Sequence, residues 1–169
     1  SQVIIDGMGV KIDGALQQFE ANALVNGADF WIQQAGANPV TIDFVTVQGI
    51  TDDQAMILVA GSAGRIAIAE DLSQAMIVTH GDTHDFIVGG NMLDALMLAG
   101  SQLSEDFTLQ GGVFNAAVIH TASVGGDMVD SIIAAGGDPG ADGLFEDGEV
   151  VPGGLIQSLE VGGVIFGAQ

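Results

Sequence analysis

The chain has 169 residues, 48% of them hydrophobic, and carries 22 acidic side chains against two basic ones, Lys11 and Arg65, for a formal charge of −20. That balance argues against nucleic acid and anionic membrane surfaces as partners, and the absence of cysteine excludes disulfides, thiolate metal centres and a cysteine nucleophile. The length fits one domain, and no apolar run approaches the roughly 20 residues of a membrane-spanning helix.

Residues 1–43 are the least regular part. Val3-Ile4-Ile5 and Val10-Lys11-Ile12 read as strands separated by Gly7 and Gly9. Ala23-Leu24-Val25-Asn26-Gly27 reads as a divergent leading strand, while the apolar residues at 15, 16, 19, 23 and 24 let Ala15 to Leu24 fit a helix as well. Phe30-Trp31-Ile32 holds the only tryptophan, and a tryptophan within an apolar triplet is expected in a core rather than as a sugar platform. After a loop from Gln33 to Pro39, Val40 to Val47 reads as a strand.

From residue 44 onward imperfect copies of one pattern follow one another. An alternating strand ends in Val or Leu, a Gly-containing bend follows, and Ala or Ser leads a second apolar run. The leading residues are Ala55, Ala75, Ala95, Ala116 and Ser131, at separations of 20, 20, 21 and 15. Gly-Gly pairs at 89–90, 111–112, 125–126 and 162–163 mark the bends, where glycine tolerates the positive φ that sharp turns often need. A unit of this size cannot bury its own apolar face, whereas stacked units share one core. The expected fold is therefore all-β, a parallel β-helix or β-solenoid with rungs of about 20 residues, some eight in number, with an irregular N-terminal part. The whole chain forms a single solenoid domain in this reading: divergent rungs over 1–43, regular rungs over 44–136, an acidic insertion over 137–155 and an open rung over 156–169. Met92 to Leu103 is rich in helix formers, but its counterparts are β-branched and all copies should share one structure. Alternation places Ile57, Ile77, Met97, Val118 and Ile132, or their immediate neighbours, in one inward ladder.

Sixteen of the acids are Asp and six are Glu, a bias toward bends over helices. The densest group is Asp138, Asp142, Glu146, Asp147 and Glu149 on a Gly-containing loop. Carboxylate and carbonyl oxygens on such a loop suit a hard cation, which predicts Ca²⁺ there, with a solvated acidic bend as the competing reading. His80, Asp82, His84 and Asp85 share a second bend, with His120 one or two rungs away. A Zn²⁺-type site can be drawn from them, but polar residues of a turn are the simpler reading. Two carboxylates would suffice for a glycosidase. Sites for acidic polysaccharide, however, use Arg and Lys, which are nearly absent, so no enzyme is expected. The threonines do not share one repeat position, which argues against an ice-binding face.

The segment from Val124-Gly125-Gly126-Asp127-Met128-Val129 through Ser131-Ile132-Ile133-Ala134-Ala135-Gly136 and Asp138-Pro139-Gly140-Ala141-Asp142-Gly143, with Ser158-Leu159-Glu160-Val161-Gly162-Gly163, resembles repeat units of very large secreted bacterial surface proteins of the planctomycete type. The resemblance is specific over 123–165, loose over 44–122 and weak before that, and it implies secreted parallel β-helix architecture. Acidity, scarce lysine and the lack of cysteine agree with an extracellular or cell-surface location. The opening Ser1-Gln2-Val3, without initiator Met or basic segment, reads as a mature chain or an excised piece. Both ends read as open rungs. The expectation is a structural subunit of an extracellular filament, sheath or surface layer that assembles head to tail with itself through Val3, Ile4, Ile5, Val161, Val164, Ile165 and Phe166. The alternative is a cell-surface adhesin or carbohydrate-binding module with a glycan partner.

Overall fold

A computed structural model describes residues 4–6, 10–13, 16–25, 29–33, 40–50, 55–104, 109, 112–137 and 153–167; before residue 55 it describes the side chains of Val10 and Phe30 only. Among these residues the chain is all-β, without a helix. Leu16–Val25 is a strand, which settles the choice left open for that segment, and Met92–Leu93 and Leu96–Ala99 are strands despite their helix-forming composition. Apart from the pairing of Ser101–Gln102 with Val113–Phe114, every strand pairing is parallel.

The chain alternates between two parallel sheets. One holds the Ala-led runs, in the order Ile132–Ala135, Leu96–Ala99, Met76–Thr79, Met56–Val59, Asp29–Gln33, Val10–Asp13. The other has two arms. Long strands Val118–Val124, Thr83–Val88 and Gly61–Ile68 form the first arm, and short strands Leu72–Ser73, Met92–Leu93, Met128–Val129 and Ile165–Phe166 the second. Val40–Ile50 joins them, because its residues 40–47 pair with Gly61–Ile68 while Ile50 pairs with Leu72.

Register explains why the apolar pattern repeats as it does. Phe19, Val45, Ile66, Phe86, Ala122 and Leu159 stand in one line across the long strands. Ile5, Leu24, Ile50, Leu72, Met92, Met128 and Ile165 stand in a second. The Ala-led sheet supplies the third, Val10, Phe30, Ile57, Ile77, Met97 and Ile133. The middle members of all three lines, Ile57, Ile66, Ile77, Phe86, Leu72, Met92 and Met97 among them, are fully buried and pack in one cluster. Parallel in-register pairing puts like on like, and alternation sends every second side chain into this core.

The copy led by Ala116 is a correction. Met97 pairs with Ile133, 36 residues on, and Val88 with Val124, also 36 on, so the separations of 21 and 15 read from the sequence belong to one unit carrying an insertion. The insertion includes the antiparallel pair Ser101–Gln102 and Val113–Phe114. Val118 consequently opens a long strand, opposite Leu155, and is absent from the inward ladder expected for it, whose member there is Ile133, the neighbour of Ile132.

The corners are built in three ways. Gln74, Asp94 and Asp130, each between a short strand and an Ala-led strand, have φ of 51°, 48° and 45°. One left-handed residue turns the chain, and Asp tolerates that region better than most residues. Small residues follow: Ala75 and Ala95 are buried, and Ser131 uses its Oγ to accept the Ala95 N–H at 3.0 Å. The bends at 89–90, 125–126 and 162–163 need glycine for close approach and not for the positive φ expected there. A Cβ on Gly125 would run into the carbonyl oxygen of Gly89, and one on Gly162 into that of Gly125, while positive φ among the described glycines falls at Gly100, Gly136 and Gly153.

Candidate functional site

Two features of the described surface go beyond what the core requires. The first is the strand edge formed by the last copy. Leu155–Ile156 and Leu159–Val161 pair with Val118–Val124, and Ile165–Phe166 pairs with Met128–Val129; none of them has a partner strand on the other side among the described residues. Leu155, Leu159, Val164, Ile165 and Phe166 are 51, 49, 52, 62 and 60% exposed, whereas Ala122 and Met128, the register partners of Leu159 and Ile165, are buried. Glu160 is the only charged residue between 153 and 167 in a chain of charge −20. An apolar, nearly uncharged strand edge is a template for another strand.

Four of the seven residues expected at an assembly surface belong to this edge: Val161, Val164, Ile165 and Phe166. Ile4 and Ile5 lie in the strand Ile4–Asp6, paired through Ala23–Val25 on one side only among the described residues. Their side chains, and Val3 altogether, fall outside the described residues. So does the side chain of Trp31, and so do Asp138, Asp142, Glu146, Asp147 and Glu149, the residues expected to hold Ca²⁺. Among the described residues no group of three or more His, Asp or Glu side chains is placed to hold a metal ion.

A ladder that sequence reasoning missed fixes the Gly-Gly bends. The Oδ1 of Asp71 accepts the Asn91 N–H at 2.6 Å, the Oδ1 of Asn91 accepts the Asp127 N–H at 2.8 Å, and the Oδ1 of Asp127 accepts the Val164 N–H at 2.9 Å. Each carboxylate or amide oxygen lies where a Cβ on Gly90, Gly126 or Gly163 would intrude, so the second glycine of each pair makes room for it. The recoverable signal was a short Asp or Asn directly after the bend in successive copies. At Val164 the pattern stops, and that position offers the next strand no side-chain acceptor.

The second feature is a polar column on the outer face of the long strands. Thr83 pairs with Ile119 and Asp85 with Thr121, which sets His84 beside His120. Their ring centroids are 4.9 Å apart with a 30° tilt. His120 Nδ1 lies 2.9 Å from Gln157 Oε1, and His84 Nδ1 lies 3.2 Å from Asp85 Oδ1. His80 Nε2 sits 3.3 Å from Asn115 Nδ2, and Asp82 Oδ1 accepts the Val118 N–H at 2.8 Å. The bend residues thus divide: His84 and Asp85 join His120, while Asp82 holds the start of the next long strand. Below them, inside the corner, the hydroxyls of Thr79 and Thr83 bond each other at 2.9 Å.

Compared with protein-family models, with curated proteins and with solved structures, the chain matches none.

Proposed function

We propose that the chain is a non-catalytic structural element, a parallel β-solenoid of an extracellular filament, sheath or surface layer, which grows by stacking one copy on the next. The observation that carries this reading is the apolar strand edge of Leu155, Leu159, Val164, Ile165 and Phe166, free on one side among the described residues, at the end of continuous parallel stacks. The occupant is a second copy of this chain. Ile5 and Ile165 stand at opposite ends of the same register line, so the short strand of one copy continues the line of the other. Covering the five side chains contributes on the order of several kcal/mol from apolar burial, set against the entropy lost on association.

The likeness of residues 123–165 to planctomycete-type surface repeats supports the same reading, as does the scarcity of positive charge. Ca²⁺ bound by Asp138, Asp142, Glu146, Asp147 and Glu149 belongs to it as the counterion of the acidic insertion. Calorimetric titration with Ca²⁺ checks that part, and the absence of both binding heat and a raised melting temperature would remove it.

Electron microscopy and light scattering of the purified chain test the assembly. The native chain should form fibres or concentration-dependent oligomers. A chain with Ile165→Asp and Phe166→Asp should stay monomeric while keeping its β circular-dichroism spectrum. A native chain that is monomeric at high concentration, with and without Ca²⁺, would overturn the proposal.

A further inference from the structure

We propose that His84 and His120 form a binding site for a divalent first-row transition metal ion such as Zn²⁺, clipping two parallel long strands together on the outer face of the sheet. The strand pairing puts the two imidazoles side by side at a ring separation of 4.9 Å, with neither side chain committed to the core. What distinguishes them from a chance pair is how each ring is held. Gln157 Oε1 accepts from His120 Nδ1 at 2.9 Å, which puts the proton of neutral His120 on Nδ1. Asp85 Oδ1 lies 3.2 Å from His84 Nδ1, an ion-pair distance that sets a carboxylate beside the pair. Nε2 of His120 is thereby left as a lone-pair donor, and neither ring's Nε2 has a hydrogen-bond partner among the described residues.

This is the arrangement that metal-binding imidazoles use. An oxygen acceptor on the far nitrogen fixes tautomer and ring direction and raises the basicity of the ligating nitrogen. Here His120 has it, with Gln157 supplied by a third strand in register: Ile119 pairs with Ile156, so Gln157 falls beside His120. Zn²⁺ takes imidazole nitrogen as a ligand and keeps water where the protein leaves a position open. Imidazole suits Zn²⁺ and Ni²⁺, whereas Mg²⁺ and Ca²⁺ prefer oxygen, so the pair would select a transition metal from a surface whose charge of −20 concentrates every divalent cation. The bond would tie Thr83–Val88 to Val118–Val124 across the insertion, the one junction of the long-strand arm between residues 61 and 124 where the chain leaves the 20-residue register.

The test is a Zn²⁺ titration of the full chain in a large excess of Mg²⁺, which occupies the carboxylates. Two readings are taken, ring ¹⁵N chemical shifts and the melting temperature. Before Zn²⁺, His120 should appear as the Nδ1–H tautomer. One equivalent should move the Nε2 signals of His84 and His120, leave those of His80 in place, and raise the melting temperature. His84→Gln and His120→Gln should each abolish saturable binding and the thermal shift, with the fold intact by circular dichroism. Gln157→Ala should weaken binding about tenfold, as loss of an outer hydrogen-bond partner does, and His80→Gln should leave it unchanged. No Zn²⁺ binding under these conditions, or binding that survives both His84→Gln and His120→Gln, would overturn the proposal.

Discussion

At the scale of single residues, the corners set backbone and close-approach conditions that the apolar pattern alone does not meet. Gln74 turns the chain in the left-handed region where Asp94 and Asp130 do the same in later copies. A non-glycine residue there costs about 1–2 kcal/mol, less for Asn or Asp. Gln74→Asn should therefore raise stability, by a few tenths to about 1 kcal/mol in denaturant unfolding. Gly125 presents the opposite case, since its Cα faces the Gly89 carbonyl with no room for a methyl group. Gly125→Ala should cost about 1–3 kcal/mol, because backbone rather than a flexible side chain must move. Asn91→Ala removes the acceptor of the Asp127 N–H and should cost about 1 kcal/mol. Asn91→Asp keeps that oxygen and should restore most of the loss.

At the scale of elements, each strand is too short to be stable alone, and only its place in a register line makes it so. Ile77 lies between Ile57 and Met97 and is wholly buried. Ile77→Ala should lower stability by about 2–5 kcal/mol, and Ile77→Asp should prevent folding by burying an unpaired charge. The insertion between Ala99 and Ile119 is the contrasting case. In the preceding copy three residues, His80-Gly81-Asp82, make the same crossing, since Ala99 pairs with Thr79 and Ile119 with Thr83. Replacing residues 100–118 by His-Gly-Asp should leave an all-β circular-dichroism spectrum and a cooperative unfolding transition. Loss of the spectrum would mean that the insertion, including the buried Leu109 and Ser101, holds up the stack.

For the whole molecule the decisive quantities are net charge and the match of the two stack ends. Copies carrying −20 repel one another, while the edge they would share holds one charge, Glu160. Salt screens the first without weakening apolar burial, so assembly should increase between low and near-molar ionic strength; light scattering across a salt series checks this. The register lines add a geometric condition. Among the described residues the short-strand line has seven members, from Ile5 to Ile165, whereas the long-strand and Ala-led lines have six each. Two copies joined through the short strands continue that line from Ile165 of one to Ile5 of the next. Removing residues 1–6 takes away Ile5 and its strand, so the shortened chain should assemble less than the 169-residue chain under the same conditions, as light scattering would record.

The amino-acid sequence alone determined the all-β class and the parallel repetition of one unit, because alternation and a 20-residue period force like residues onto one face. It also marked Gly89-Gly90, Gly125-Gly126 and Gly162-Gly163 as bends, and the His80 to Asp85 turn with His120 near it. Only the tertiary structure decided that Ala116 does not lead a copy of its own: it imitates a leading residue, and nothing local distinguishes it from Ala95 until Met97 is found opposite Ile133. The reason for glycine at the bends likewise came from the neighbouring copy, in a carbonyl or an Asp or Asn oxygen 19 to 37 residues away. The contact of His84 with His120 has the same origin, and so does the bond from Gln157 to His120. Sequence periodicity fixes which way a side chain faces; its neighbour in the next strand depends on the length of the insertion between them, which no pattern within one copy encodes.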